Sequence, residues 1–237
     1  VSLDDLKSLY SASKSSHKGQ NGKLLVIGGS HLFHAASLWA LTVASRIVDL
    51  VHYSSVPENN EMVRKAKQEF RNGIVVPRDS IDEYIEEDDC ILIGPGMTRD
   101  NETEELTHTL LTRHSKKQWV IDAGALQMLH LEDIPPNAIL TPHHKEWEEL
   151  LGKSQTTSSN DQQEFAKKYR CVVLVKGKED IACSPVECRV ITGGNAGMTK
   201  GGTGDVLAGL IAALVCKNDP FLATIAGSFI NKQAGDA

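Results

Sequence analysis

The stretch "KLLVIGGSHLFHAASLWALTVASRIVDLVHYSSV" (Lys23–Val56) contains three different patterns in succession. "KLLVI" is a short, β-favouring apolar run that stops at Gly28-Gly29. "AASLWALTVASRIV" (Ala35–Val48) is long enough for a helix and lacks glycine and proline, and "LVHYSSV" (Leu50–Val56) is apolar and β-branched again. A strand, a helix and a strand in that order form the unit that joins two parallel strands by a helical crossover.

The same alternation continues along the chain. "CILIGPG" (Cys90–Gly96), "QWVIDAG" (Gln118–Gly124), "NAILTPH" (Asn137–His143) and "CVVLVKG" (Cys171–Gly177) read as strands that end in loop signals. Between them, "NETEELTHTLLTRH" (Asn101–His114) and "SNDQQEFAKKY" (Ser159–Tyr169) begin with capping and acidic residues and end with basic ones, as helices that complement their dipoles do. Short strands without alternating polarity, separated by helices, predict an α/β fold with a mostly parallel central sheet and helices on both faces. "DIACSP" (Asp180–Pro185) and "ECRVIT" (Glu187–Thr192) lie too close together for a helix between them, which predicts an antiparallel hairpin at the sheet edge. "GKSQTTSSND" (Gly152–Asp161) reads as a surface loop, and residues 1–237 read as a single domain without repeats.

Composition excludes several classes. A net charge of −6 with mixed signs leaves no basic stripe for nucleic acid. The chain opens "VSLDDLKSLY", without the basic-then-apolar order of a signal peptide, and no run is long enough to span a bilayer, so no membrane is expected and a cytoplasmic protein is. The five cysteines include no Cys-x-x-Cys pair, and free thiols in a reducing cytosol are expected.

The polar signals fall where strands end: Gly94-Pro-Gly96, Asp122-Ala-Gly124, Thr141-Pro-His143 and Lys176-Gly177. Those loops share one edge of the predicted sheet, the edge on which open α/β sheets bind ligands. "KGGTGD" (Lys200–Asp205) then leads into the very apolar "VLAGLIAALV", with no Walker A or Gly-x-Gly-x-x-Gly pattern. A glycine-rich turn at the outward end of a buried helix makes an anion site from unpaired amides and the helix dipole. Asp205 has two readings. It is an N-cap, the usual role of an aspartate before a helix, or a base beside the anion site, with a pKa held low by the helix end.

"SHKGQNGKLLVIGGS", "IGPGM", "VIDAGAL", "ILTPHHKEWEELLG", "VVLVKGKED" and "NAGMTKGGTGDVLAGLIAAL" together resemble the carbohydrate-kinase-like domain of ADP/ATP-dependent NAD(P)H-hydrate dehydratase, a branch of the ribokinase-like superfamily. The resemblance covers nearly the whole chain. It implies a lyase that uses ADP or ATP with Mg2+ to repair the S-epimer of hydrated NADH or NADPH, by phosphorylating the ring hydroxyl and expelling phosphate. It also implies a homo-oligomer working with an NAD(P)H-hydrate epimerase, a domain often fused ahead of this one; the family pattern continues past "NKQAGDA".

Carried over, Asp205 is the catalytic base and a substrate contact, and Gly202, Thr203 and Gly204 are the anion hole, Gly204 also touching nucleotide. Lys176, Gly177, Lys178, Glu179 and Asp180 form the nucleotide loop, and Ala36, Gly96 and His143 line the substrate pocket. No resident metal ligand is implied, because neither His143-His144 nor His31 with His34 completes a ligand set. The chain departs from the family pattern at Ala35, Lys145 and Asp180, where glycine, glycine and threonine are usual. The alternatives are a superfamily small-molecule kinase, of the hydroxymethylpyrimidine or hydroxyethylthiazole type, and a catalytically silent nucleotide-binding protein.

Overall fold

The computed structural model describes residues 3–66, 73–154 and 161–237. In chain order its main elements are α1 (Leu3–Leu6), β1 (Lys23–Ile27), α2 (His34–Ala44), β2 (Leu50–Ser54), α3 (Pro57–Lys65), β3 (Gly73–Val75), α4 (Ile81–Glu87), β4 (Cys90–Ile93), α5 (Asn101–Arg113), β5 (Gln118–Ile121) and α6 (Ala123–Gln127). They continue with β6 (Ile139–Leu140), α7 (His144–Ser154), α8 (Asp161–Tyr169), β7 (Val172–Val175), β8 (Asp180–Cys183), β9 (Cys188–Ile191), α9 (Thr203–Val215) and α10 (Pro220–Asp236).

The strands form a nine-stranded sheet in the order β3-β2-β1-β4-β5-β6-β7-β8-β9. It is parallel from β3 to β7, and β8 and β9 add the antiparallel edge hairpin that the sequence predicts. The continuous apolar runs follow from burial on both faces. Leu24 and Val26 of β1 point into a core shared with α2, α9 and α10, and Leu25 and Ile27 point into a second core under α4, α5, α7 and α8. Successive side chains of a strand face opposite ways, so each strand feeds both cores in turn.

The chain leaves β1 for β2 and β3, then returns to the other side of β1 as β4. That reversal makes a topological switch point at the carboxyl ends of β1 and β4. Gly28-Gly29 and Gly94-Pro95-Gly96 sit there and are tied together, Gly29 N–H donating to the Pro95 carbonyl at 2.7 Å and Gly94 N–H to that of Ile27 at 3.0 Å.

Two expectations need adjustment. Cys183 and Cys188 are not free thiols: they form a disulfide, while Cys90, Cys171 and Cys216 are free and buried. The hairpin register explains the pairing, since it sets Cys183 directly opposite Cys188 with their Cα atoms 4.1 Å apart. The loop expected at Gly152–Asp161 is shorter, because residues 152–154 continue α7 and Asp161 opens α8; residues 155–160 lie outside the described residues. No described helix is long and apolar enough to cross a membrane.

Candidate active site

The amino end of α9 is built around one glycine. Gly202 is its N-cap, with φ 100°, a left-handed conformation, and a Cβ there would drive into the ring of Trp39 from α2. No side chain caps the helix; Thr203 N–H turns back to the Lys200 carbonyl at 3.3 Å, and the turn carries the positive end of the helix dipole. Behind that turn, Leu207–Ala213 are buried throughout, which anchors the loop on the core.

Asp205 is therefore not the cap. It stands at the third helical position, inside the first turn, and its carboxyl is pushed up to about 6. Burial is the main cause, and the Asp122 charge adds to it; Lys176 and the residue's own amide pull the other way. The low pKa expected from the helix end is thus reversed, because desolvation beside a second carboxylate outweighs the dipole.

Asp122 comes from the end of β5 and is buried. It accepts hydrogen bonds from Lys176 Nζ at 2.9 Å and Thr141 Oγ1 at 2.8 Å. Burial works to lower the Lys176 pKa, but the pairing with Asp122, helped by Glu146 and Asp205, raises it on balance, so Lys176 stays a cation among three carboxylates. The strand ends of β5, β6 and β7 and the start of α9 thereby meet at one charged cluster.

Glu146 belongs to α7, whose start closes by a reciprocal pair. His143 N–H donates to Glu146 Oε2 at 2.9 Å, and Glu146 N–H donates to His143 Nδ1 at 3.2 Å. This is the capping-box arrangement with a histidine in the usual serine position. His143 is thus held by the helix start while half its ring remains exposed, and His144 turns away to pack on Gly177.

A cleft of about 730 Å³ opens beside the α9 turn. Its walls include Lys176, Gly177, Lys178 and Asp180, the turn Gly202, Thr203 and Gly204, and His143. The expected nucleotide loop and anion hole therefore face one space. Glu179 is exposed and does not line it. Asp180 touches the cleft but directs its carboxylate into the fold. One oxygen accepts from Gly177 N–H at 2.9 Å and lies 3.3 Å from Lys232 Nζ, and the other accepts from Ser228 Oγ at 2.7 Å. Lys232 also donates to the Gly177 and Lys178 carbonyls, both at 3.1 Å, so Asp180 shapes the loop instead of presenting a charge to a ligand.

Ala36 and Gly96 meet at the switch point, a Cβ on Gly96 falling 3.0 Å from that of Ala36. Gly96 has φ 74° and is buried, so the loop can pass close to α2 only without a side chain. Beside them, Leu32, Phe33 and Trp39 are exposed apolar side chains. Trp39 also touches Gly202, so the α9 turn stands between the cleft and the switch point. His31 lies 3.2 Å from Glu58, and His34 opens α2 on the exposed surface.

The sequence does not single out Asp122, Thr141 or Glu146 as site residues, although Asp122 and Thr141 fall in its strand-end loops; Glu146 lies beyond them in α7. Also not singled out are Gly193, Gly194, Asn231 and Lys232 in the cleft wall. The paired glycines after the hairpin were a usable signal. Nothing local marked Lys232, which is distant in sequence.

The sheet order and the helices on both faces define a ribokinase-like fold. A ribokinase-like superfamily protein from Enterococcus faecalis superposes with a TM-score of 0.87 at 26% identity, covering 100% of this chain and 86% of that one. The chain belongs to the carbohydrate-kinase family described as NAD(P)H-hydrate dehydratase, whose pattern matches residues 24–237. It is 36% identical over 243 residues to a bifunctional NAD(P)H-hydrate repair enzyme of Methanocaldococcus jannaschii, covering 100% of this chain and 48% of that protein. It therefore spans about half the length of that relative. It is 33% identical to an ADP-dependent (S)-NAD(P)H-hydrate dehydratase of Nitrosopumilus maritimus, covering 97% of this chain and 85% of that one.

Proposed function

We propose that the protein is an adenine-nucleotide-dependent dehydratase that returns the S-epimer of hydrated NADH or NADPH to the dihydronicotinamide. The observation that carries this reading is the half-buried Asp205 carboxylate, with a pKa near 6, placed in the first turn of an uncapped helix beside Lys176. A group of that pKa is ionised at neutral pH yet basic enough to take a proton.

Asp205 accepts the proton of the ring hydroxyl as its oxygen bonds to the terminal phosphorus of ADP or ATP, and the nucleotide leaves one phosphate shorter. The amides of Gly202, Thr203 and Gly204 hold the charge that develops on the transferring group. The ring C–O bond then breaks, inorganic phosphate departs with the bonding pair, and loss of a neighbouring ring proton restores the double bond. Lys176 holds Asp122 and the carboxylate cluster in place, while Gly177, Lys178 and the Lys232-supported loop line the nucleotide's side of the cleft. Ala36, Gly96 and His143 border the space for the dinucleotide.

Magnesium is assigned to the nucleotide's own phosphates, where it neutralises charge. Of the protein carboxylates that converge here, Asp205 is taken as the base and the other two are engaged already, Asp122 by Lys176 and Thr141, and Glu146 by Gln127 and the His143 amide. A homo-oligomer acting in the cytoplasm alongside an NAD(P)H-hydrate epimerase completes the proposal, with light scattering the check on assembly.

The test is incubation with hydrated NADH or NADPH, magnesium and ADP or ATP. Return of dihydronicotinamide absorbance with release of inorganic phosphate is expected. Accumulation of a stable phosphorylated alcohol would instead identify a small-molecule kinase, and nucleotide binding without turnover a silent binding protein.

A further inference from the structure

His108 of α5 lies one helical turn after Glu104, so the two side chains share a face. Opposite them is a short turn that presents His130 and Asp133, three residues apart. His108 Nδ1 is 2.7 Å from Asp133 Oδ2, and His130 Nδ1 is 3.7 Å from the same oxygen. The ligand atoms of His108, His130 and Asp133 all lie within 4.8 Å of one another. None of these residues serves the cleft, and α5 packs against the opposite core from α9.

The second ring nitrogen of His130 decides what the cluster can do. Nε2 is 2.6 Å from Glu104 Oε1, a hydrogen bond in which the ring N–H donates to the carboxylate. That leaves Nδ1 facing Asp133 and His108. A carboxylate holding one ring nitrogen while the other faces a shared point is the usual outer support of a metal-bound histidine. The 3.7 Å separation from Asp133 is too long for a hydrogen bond but close to the roughly 3.3 Å edge of a tetrahedron with bonds of about 2.0–2.1 Å, and the 2.7 Å His108–Asp133 hydrogen bond would give way to the same spacing once an ion replaced its proton.

We propose that His108, His130 and Asp133 form a site for a divalent transition metal of the zinc or cobalt class, with Glu104 orienting His130. Two neutral imidazoles and one carboxylate suit a borderline metal better than magnesium or calcium, which prefer oxygen ligands. The two carboxylates, Asp133 and Glu104, balance the charge of the ion. The scaffold is already rigid: Leu110 and Leu111 fix α5 in the core, and Leu131 and Ile134 fix the turn, so little must move for the ligands to close. With exposed sides on His108 and His130, a water is the natural fourth ligand and the ion can enter from solvent. A bound metal would tie α5 to the turn that leads to β6.

The test uses tag-free, chelator-treated full-length chain titrated with Co2+ and followed by visible absorption, with Zn2+ added in competition. One equivalent of Co2+ with an intense tetrahedral-type spectrum is expected, displaced by Zn2+, along with a rise in melting temperature on adding Zn2+. His130→Ala and His108→Gln should each weaken binding at least tenfold and abolish the zinc-dependent rise, and Glu104→Gln should weaken it less. Nucleotide-dependent turnover should be unchanged in all three, which also shows that they fold. Absence of a Co2+ spectrum, or a spectrum that survives in both histidine variants, would overturn the site.

Discussion

Lys176 Nζ and Asp122 Oδ1 lie 2.9 Å apart, with the Asp122 side chain 2% exposed and the Lys176 side chain 18% exposed. This pair joins β5 to the end of β7 and sets the field in which Asp205 titrates. Removing either member should move Asp205 in opposite directions. Lys176→Met takes away the cation that lowers the Asp205 pKa, so the acid limb of the activity profile should move up in pH. Asp122→Asn takes away the like charge that raises it and frees Lys176, so the limb should move down. A pH series of kcat/KM on both variants is the measurement, and shifts in the same direction would remove the pair from the mechanism. Lys176→Met should also cost about 3–5 kcal/mol of stability, since it strands a buried carboxylate.

Asp205→Asn should lower turnover by about a hundredfold to ten-thousandfold, the share general-base catalysis usually carries. Its effect on stability should have the opposite sign. With a folded pKa near 6 against 3.8 unfolded, the native state holds its proton more tightly, so the ionised carboxylate costs stability above pH 6 and costs nothing below pH 3.8. The Asn variant should therefore melt higher than the parent at pH 8, and the two should converge as the pH falls toward 4. A melt series across that range checks it; a lower melting temperature for Asn at pH 8 would mean that the charge is stabilised in the fold.

Gly202→Ala should disrupt the α9 turn, because φ 100° disfavours any side chain and a Cβ there meets Trp39. A loss of roughly 1 kcal/mol or more is expected from the conformation alone, together with weakened nucleotide binding by calorimetry. Gly201→Ala is the control, since a Cβ at Gly201 meets nothing within 4 Å. Equal melting temperatures for the two variants would refute the steric reading.

Lys232→Met should weaken nucleotide binding more than it lowers kcat. Lys232 does not reach Asp205 but carries the Gly177 and Lys178 carbonyls and pairs with Asp180. Its loss leaves the buried Asp180 without a counter-ion, held only by Gly177 N–H and Ser228 Oγ, so stability should fall as well. Titration of ADP and a chemical denaturation curve on the variant test both parts, and an unchanged Kd would place the loop outside the nucleotide site.

What the sequence determined by itself were the features that depend on near neighbours along the chain. "KLLVI", "CILI" and "VVLV" could be read as strands because doubly buried strands carry no polar alternation, and the edge hairpin because too few residues separate its arms for a helix. The α9 turn was legible for the same reason, as glycines, aspartate and an apolar helix are contiguous in "KGGTGDVLAG". Only the tertiary structure decided the chemistry of that turn. Asp122 and Lys176 come to Asp205 from two different strand ends and Glu146 from the start of α7, and burial with the two carboxylate charges, against the opposing pull of Lys176, reverses the pKa that the helix end alone predicts. Likewise Asp180 reads as a loop residue until α10 brings Ser228 and Lys232 against it, and Cys183 and Cys188 read as free thiols until the hairpin register sets them face to face. Periodicity and turn chemistry act over a few residues. Desolvation, charge coupling and side-chain pairing depend on distances in space, which are set only when the sheet has brought its strand ends together.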